Sequence, residues 1–327
     1  MKSENVKFWL VCGALLSMLL TACSDNAPDA GARQWDDSWG GVDKSYDEQL
    51  YTMREAVIPS FETLQFHDAE MGRVMQYNLY KPANYDPQKS YPLVLFMADA
   101  STTGKGVKSP LMQGYGGIIW ATQAFQRDHP SFVLVPAFDG PDRATNDNGE
   151  VSDEVGVARR LLLSVISQYA IDTQRLYTTG QSMGGMISFY FNATYPDLFA
   201  ASLYVGSQWD VSVLDPLLGQ SFMYIVSAAD PKASKGMDEL AELFQANNTD
   251  FGETIFSARL PVAEQNAAVD SLLAAGHSAN FIRFTPGTVI PEGSSGGRGG
   301  EHMYSFDYAY QLSAARSWLF SQTKAEQ

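Results

Sequence analysis

Runs of apolar or β-favouring residues recur along the chain, separated by longer segments of mixed polarity. The longest runs, at residues 91–97 and 132–136, lack the polar–apolar alternation of a half-exposed strand, as expected for strands buried on both faces of a parallel sheet. Strands are predicted at residues 91–97, 132–136, 176–179, 201–205, 222–226 and 281–284. With helical patterns between them, these strands predict an α/β fold with a mostly parallel central sheet and helices on both faces.

An antiparallel hairpin is predicted ahead of the parallel strands. Residues 61–66 and 73–80 are extended in character, and the segment between them is polar and ends in glycine. Helices are predicted at residues 120–127, 152–169, 183–195 and 304–321. Ser152 suits the N-cap of the second of these helices, because an acidic first turn and apolar residues at helical spacing follow it.

The segment around residue 182 combines a predicted strand, a sharp turn and a predicted helix. Gly180, Ser182 and Gly184 fill the pattern G-x-S-x-G within that turn. In such an elbow the serine occupies a strained backbone position that presents its hydroxyl, and the glycines leave room for neighbouring backbone. Ser182 is therefore the predicted nucleophile.

An acid and a histidine follow Ser182 at positions where parallel sheets place their sites. Asp230 comes after the strand at 222–226, and His302 lies between the last strand and the closing helix, at the carboxyl edge of the sheet. Serine needs a base that is itself oriented by a carboxylate. We expect His302 to act as general base and then acid and Asp230 to orient it, with Asp210 and Asp270 as rival acids.

Several segments resemble the α/β-hydrolase superfamily, and more narrowly the secreted esterases and putative peptidases grouped with polyhydroxybutyrate depolymerases and feruloyl esterases. The segments that carry the resemblance are Tyr91–Phe96, Trp120–Gln123, His129–Leu134, Gly180–Gly185 and Glu301-His302. The likeness spans about residues 61–321. It implies an α/β-hydrolase fold and a carboxylic ester substrate, either a small molecule or polymer-borne, with a serine peptidase of the same fold as the alternative.

The resemblance also locates an expected oxyanion hole. The backbone N–H of Met183 would form half of it, and an N–H of Asp99 or Ala100 the other half. Where the family usually has His-Gly, this chain has Ala98-Asp99. A carboxylate near a developing oxyanion is unfavourable unless it points away, caps its own loop, or pairs with a cation such as Lys105. A catalytically inactive binding module is the corresponding alternative.

Two further residues are candidates for contact with substrate. Trp209, just beyond a predicted strand, could form a wall for an aromatic or sugar-borne acyl group, or pack at the edge of the domain. Arg298 lies in the glycine-rich segment 292–300, which could be a mobile lid that meets an anionic substrate group, or a surface insertion.

The N-terminus has the features of an export signal. Residues 1–22 carry two lysines and then an apolar run too short to span a membrane. The ending Leu20-Thr21-Ala22-Cys23 resembles a bacterial lipobox, which implies lipidation of Cys23 and, with Ser24 following, an outer-membrane address in the cell envelope; an ordinary secretory signal or an uncleaved anchor is the alternative. We predict a polar tether at residues 23–45 and a catalytic domain at 46–327.

Charge and composition restrict the possible partners. The formal net charge is −15, which makes nucleic acid an unfavourable partner. The sequence has no zinc-ligand spacing, phosphate-binding loop or dinucleotide fingerprint, so no metal and no cofactor are expected. Its two cysteines, Cys12 and Cys23, lie in or at the end of the signal, so the mature domain must be stabilised by its core. The sequence thus predicts a cell-envelope serine hydrolase of unspecified oligomeric state.

Overall fold

A nine-stranded sheet organises the residues that the computed structural model describes, 34–140, 143–297 and 299–324. The strands are β1 (Glu62–Asp68), β2 (Arg73–Tyr80), β3 (Tyr91–Met97), β4 (Phe132–Pro136), β5 (Ile171–Gln181), β6 (Ala201–Val205), β7 (Phe222–Ser227), β8 (Gly252–Phe256) and β9 (Ala279–Phe284). The helices are α1 (Glu48–Val57), α2 (Ser109–Met112), α3 (Gln123–Asp128), α4 (Asp153–Gln168), α5 (Met183–Thr194), α6 (Pro231–Ala246), α7 (Val262–Leu273), α8 (Gly300–Gln311) and α9 (Ser313–Ser321).

The strands lie in the order β1-β2-β4-β3-β5-β6-β7-β9-β8. The β1–β2 and β2–β4 pairs are antiparallel, and the other pairs are parallel. The predicted N-terminal hairpin and mostly parallel sheet are therefore confirmed. Because β5 lies near the middle of the sheet, the turn that follows it is surrounded by the carboxyl ends of neighbouring strands.

Alternate residues of the central strands face two different hydrophobic cores. In β3, Val94 and Phe96 pack in the core that contains Tyr310 of α8 and Leu319 of α9. Leu93 and Leu95 point the other way, into a core shared with α4 and α5. Both faces of the strand are thus buried, which explains its uninterrupted apolar sequence.

The C-terminal helix is the main correction to the predicted elements. The sequence predicts one helix over residues 304–321, but the helix starts earlier, at Gly300, and is interrupted at Leu312, whose φ of −65° and ψ of 98° are extended. Leu312 is almost fully buried, so the chain bends to place it in the core. As a result His302 lies in the first turn of α8 and not ahead of the helix.

Residues 34–47 lie against the domain, although the sequence predicts that 34–45 belong to a polar tether. The guanidinium carbon of Arg54, on α1, is 4.7 Å from the ring centre of Trp35. Lys44 is 1% exposed and lies 2.7 Å from Asp307 Oδ2. We call residues 36–47 the N-terminal strap. Residues 23–33 and the signal at 1–22 lie outside the described residues.

One well-defined ion pair joins the hairpin to α4. Asp68, at the end of β1, accepts hydrogen bonds of 2.7 Å from both Nε and Nη2 of Arg160. This bidentate hydrogen bonding holds the pKa of the Asp68 carboxyl below its ordinary value.

None of the helices in the described part of the chain combines the length and apolar character needed to cross a membrane.

Candidate active site

Ser182 occupies a sharp turn between β5 and α5. Its φ of 50° and ψ of −118° lie in a region of backbone conformation that residues other than glycine rarely adopt. A Cβ on Gly180 would overlap the backbone of Gly184, and one on Gly184 would overlap the carbonyl of Met97. The two glycines are therefore required by close backbone packing, as the sequence predicts for a strand–turn–helix elbow.

Neighbouring backbone and side chains hold this turn on both sides. The Ser182 N–H donates to the carbonyl of Val205 at 3.0 Å, and Ser207 Oγ donates to the Ser182 carbonyl at 2.9 Å. Tyr224 Oη in turn donates to the Ser207 carbonyl, and burial raises the pKa of this phenol, so it remains a donor. The strained serine conformation is thus held by the adjacent strand β6 and the residue Ser207 that follows it, which is held in turn by Tyr224 of β7.

His302 reaches Ser182 from the first turn of α8. Its Nε2 lies 2.8 Å from Ser182 Oγ, and its Nδ1 lies 2.5 Å from Asp230 Oδ2. Phe306, one turn later, packs edge-on against the imidazole at 4.9 Å between ring centres. An ionised carboxylate can only accept a hydrogen bond, so the imidazole nitrogen that faces Asp230, Nδ1, carries the ring proton. Nε2 is left to accept a hydrogen bond from the serine hydroxyl.

Asp230 is both the partner of His302 and the N-cap of α6. Its Oδ1 accepts the N–H groups of Lys232 and Ala233, each at 3.2 Å, while Oδ2 faces the imidazole. The side chain is 2% exposed. Fixed backbone donors on one oxygen leave the other aimed at His302, so the imidazole is held in one tautomer and orientation.

The two rival acids lie elsewhere, and so does another histidine, His129. Asp210 is exposed and caps its own turn through Ser212, and Asp270 is exposed on α7. His129 packs between Phe125 and Phe320, where burial lowers its pKa. Neither acid approaches His302, and the carboxylate that does is Asp230.

The segment 98–113, which follows β3, contains the other proposed backbone donors, and we call it the 98–113 loop. Gly184 packs directly on the end of β3, so the start of this loop lies beside the elbow. Met183 is the first residue of α5 and Ala100 the first of a 3₁₀ turn, so their N–H groups precede the first intrahelical hydrogen bonds. Neither N–H has an acceptor within its own helix or turn.

The Asp99 carboxylate points into the protein, and it is only 2% exposed. Its Oδ1 caps the following turn by accepting the Ser101 N–H at 2.8 Å. Its Oδ2 accepts from Gln181 Nε2 at 3.0 Å and from Gln113 Nε2. The suggested pairing with Lys105 is not formed, since that ammonium donates to the Asp37 carbonyl. The buried carboxylate thus accepts hydrogen bonds from one backbone N–H and two side-chain amides and, among the described residues, from no cation.

Trp209 forms part of the wall of a cavity of about 390 Å³, together with Met186, Gln208 and Lys232; Ser182, Asp230 and His302 do not line this cavity. Trp209 is 7% exposed, its ring packs against Tyr190, and it also lines a smaller cavity of about 240 Å³. Trp209 therefore both packs and lines a cavity. Arg298, the second predicted substrate contact, and Cys23, the predicted lipidation site, lie outside the described residues.

Three polar residues behind the elbow were not singled out from the sequence: Lys44, Gln113 and Gln181. Gln181 stands inside the G-x-S-x-G motif, so its position offered a signal. The other two offered none, because their burial depends on contacts between distant segments. Among the described residues, no group of three or more His, Cys, Asp or Glu side chains could hold a metal ion.

The chain was compared with known proteins in sequence and in structure. No family model matches the sequence, and no curated protein does. Many solved structures are similar in fold. A thermostable esterase superposes with a TM-score of 0.63 at 23% identity, over 82% of this chain and 64% of the esterase. The chain thus spans less than two thirds of that protein's length.

Two ferulic acid esterases are also similar. One superposes with a TM-score of 0.50 at 10% identity, covering 80% of this chain and 98% of its own. Another, from Anaeromyces mucronatus and bound to ferulic acid, gives a TM-score of 0.50 at 10% identity over 78% of this chain and 90% of its own. At these identities the likeness establishes the fold alone, which is the predicted α/β-hydrolase fold.

Proposed function

We propose that this chain is a serine hydrolase that cleaves carboxylic esters through a covalent acyl intermediate on Ser182. The observation that carries the proposal is the hydrogen-bonded line from Asp230 through His302 to Ser182, with distances of 2.5 and 2.8 Å. The strained conformation of Ser182 and the fold shared with esterases support it. The reaction needs no cofactor.

Acylation follows from the positions of the groups. Ser182 Oγ attacks the ester carbonyl carbon as its proton moves to His302 Nε2. The negative charge then develops on the carbonyl oxygen, where the N–H of Met183 and an N–H of Asp99 or Ala100 can donate. Collapse breaks the bond to the alcohol oxygen, which takes the proton from Nε2. The acyl group remains on Ser182.

Deacylation repeats these steps with water. His302 Nε2 removes a proton from water as the oxygen attacks the acyl carbon, and the second tetrahedral intermediate expels Ser182 Oγ, which regains that proton. The carboxylic acid leaves. In both halves Asp230 holds the imidazole and stabilises its protonated form. Its capping bonds to α6 keep the carboxylate in place while the imidazole charge changes.

The substrate class we favour is a carboxylic ester on a polysaccharide, a phenolic or a polyester. The cavity beside Trp209 offers an aromatic face with polar residues around it, including the Gln208 and Lys232 side chains that hydrogen-bond Asp147. A ferulic acid esterase of similar fold binds ferulic acid, which is an aromatic acid. Arg298 would contact an anionic group of the substrate.

Turnover of chemically distinct substrates tests the proposal. The purified chain is assayed on aryl, feruloyl and short-chain acyl esters and on a peptide panel, beside Ser182→Ala. We expect ester hydrolysis that Ser182→Ala abolishes. Cleavage of peptides alone would indicate a serine peptidase instead. No turnover of either class would contradict the enzyme proposal and favour a binding module.

We further propose export by residues 1–22 and attachment of Cys23 to lipid, with the catalytic domain held at the outer membrane of the cell envelope. The sequence Leu20-Thr21-Ala22-Cys23 supports this. Fractionation of cells that express wild type and Cys23→Ser tests it. We expect the wild type in the outer-membrane fraction and the variant among soluble or unprocessed forms; equal distribution would contradict lipid attachment.

A further inference from the structure

The N-terminal strap runs along the 98–113 loop and is hydrogen-bonded to it at four places, one of them through the side chain of Lys44. The Gly41 N–H donates to Ser101 Oγ at 2.8 Å, and Ser109 Oγ donates to the Trp39 carbonyl at 2.7 Å. Lys105 Nζ donates to the Asp37 carbonyl at 2.5 Å. The strap therefore holds the loop that contains the proposed oxyanion donors.

The same strap is bonded to α8, the helix that carries His302. Tyr304 Oη donates to the Asp43 carbonyl at 3.1 Å. Lys44 Nζ lies 2.7 Å from Asp307 Oδ2 and also donates to the Gln113 carbonyl at 3.0 Å. One buried ammonium thus connects the histidine helix to the 98–113 loop.

A second buried charge lies on the other side of Gln113. The Asp99 carboxylate accepts from the side-chain amides of Gln113 and Gln181, and the amide of Gln181 also donates to Gln113 Oε1. Gln181 directly precedes Ser182, and Asp99 directly precedes Ala100. The network therefore joins the two backbone segments from which the oxyanion donors project.

Buried charges rarely stabilise a fold more than apolar side chains of the same size, because both ions lose their hydration. They do impose geometry, since each buried donor and acceptor must find its partner. The Asp99 carboxylate accepts all three of its hydrogen bonds, from the Ser101 N–H and the two glutamine amides, only when the loop, the elbow and Gln113 take the observed positions. Lys44 has both of its acceptors only when α8 and the loop are together.

We propose that Asp99 and Lys44 are positioning residues of this hydrolase: Asp99 sets the 98–113 loop against the elbow, and Lys44 sets the same loop against the helix of His302. The inference rests on the proposed function. It assigns a role to Asp99, the second residue of the Ala98-Asp99 pair that stands where the resembled esterases usually have His-Gly. It also assigns a role to a lysine that precedes the predicted catalytic domain. Neither side chain touches the reacting atoms.

Asp99→Asn is the direct test, because it keeps the Oδ1 acceptor for Ser101 and places an amide donor against the amides of Gln113 and Gln181. Oxyanion donors act mainly in the transition state. We expect kcat per site, with sites counted by an irreversible phosphonate, to fall about 10- to 100-fold while KM changes less than about 3-fold. Counting sites removes unfolded protein from the comparison.

A paired substitution separates positioning from general damage. Asp99→Asn combined with Gln181→Glu exchanges the carboxylate and the amide. When the side-chain amide of Gln113 turns over, its nitrogen donates to the carboxylate now at position 181 and its oxygen accepts from the amide now at position 99, so every donor again meets an acceptor and most of the lost kcat should return. Asp86→Asn is the matched control, since Asp86 caps its own turn through Gln88 at 3.0 Å, ahead of β3 at the opposite edge of the sheet. It should leave kcat unchanged.

The outcomes distinguish this inference from the proposed function. A wild type that the phosphonate does not label contradicts the proposed function itself. A labelled wild type with an unchanged kcat in Asp99→Asn overturns the positioning role alone. If Asp99→Asn yields no folded protein, Lys44→Met decides: a fall in kcat with KM retained supports the inference, and an unchanged kcat overturns it.

Discussion

His302 Nε2 lies 2.8 Å from Ser182 Oγ, although 120 residues separate the two along the chain. The elbow after β5 fixes the serine, and the first turn of α8 fixes the histidine. The distance is that of a hydrogen bond ready for proton transfer. Whether the pair works as a nucleophile and its base can be tested by removing either member.

Replacing the proposed base should abolish turnover and leave the fold intact. In His302→Ala we expect kcat to fall by about 10⁴-fold or more, because Ser182 then has no acceptor for its proton. Steady-state kinetics and circular dichroism measure the two effects. His67→Ala is the control, since His67 is exposed on β1, and it should retain wild-type kcat. Near-normal turnover in His302→Ala would mean that another group is the base.

The two roles of Asp230 can be separated with two substitutions. Asp230→Asn retains an oxygen for the N–H groups of Lys232 and Ala233 but no longer holds the imidazole in the required tautomer. We expect kcat to fall by about 10⁴-fold with little change in the free energy of unfolding.

Asp230→Ala also removes the cap of α6. It should lose similar activity and, in addition, about 1 kcal/mol of stability relative to Asp230→Asn. Chemical denaturation of both variants measures the difference. Equal stability of the two variants would contradict the capping role, and full activity in Asp230→Asn would contradict the orienting role.

The elbow should not tolerate a methyl group at Gly184. A Cβ there would overlap the Met97 carbonyl, so Gly184→Ala must displace the end of β3 and the start of the 98–113 loop. We expect a loss of about 1–3 kcal/mol in the free energy of unfolding, together with reduced kcat. Gly219→Ala is the control, because nothing lies within 4 Å of the position that a Cβ would take there. Equal effects of the two substitutions would argue against crowding at the elbow.

The Asp68–Arg160 pair predicts a pH-dependent contribution to stability. The pKa of Asp68 is lowered by its hydrogen bonds to Arg160, so the stabilisation is present above the unfolded pKa of about 3.9 and is lost as pH falls through the folded value. Asp68→Asn should therefore cost about 2 kcal/mol at pH 7 and progressively less below pH about 4.

Urea unfolding at several pH values measures that cost. The exposed pair Arg127–Asp128 provides the control, and Asp128→Asn should leave the unfolding free energy unchanged throughout. A penalty for Asp68→Asn that stays constant through acid pH would show that the charge of Asp68 is not what stabilises the pair.

Strands could be predicted from the sequence where a continuous apolar run marks a segment that is buried on both faces. Residues 132–136 form a strand with the predicted bounds, because every residue of it is buried. The strand Gly252–Phe256 was not predicted, since it lies at the sheet edge with Glu253 and Ile255 exposed. The break at Leu312 was also missed, as neither glycine nor proline marks it.

The residues of the candidate site likewise fall into those that the sequence indicated and those that it did not. Ser182, Asp230 and His302 could be selected because they follow strands in a particular order, and the structure brings their side chains together. The local cap that Asp99 forms with Ser101 was among the expected alternatives. The contacts of its other oxygen with Gln113 and Gln181 could not be predicted, because those two residues are far apart in the chain. Burial of Lys44 depends on Asp307, near the other end of the sequence.

The most direct test of the central claim is mass spectrometry of the intact chain after reaction with a fluorophosphonate, followed by peptide mapping. We expect one phosphonyl group per molecule, located on Ser182, and no adduct on Ser182→Ala under the same conditions. An unmodified wild type, or an adduct that persists in Ser182→Ala, would contradict the claim that Ser182 is the nucleophile.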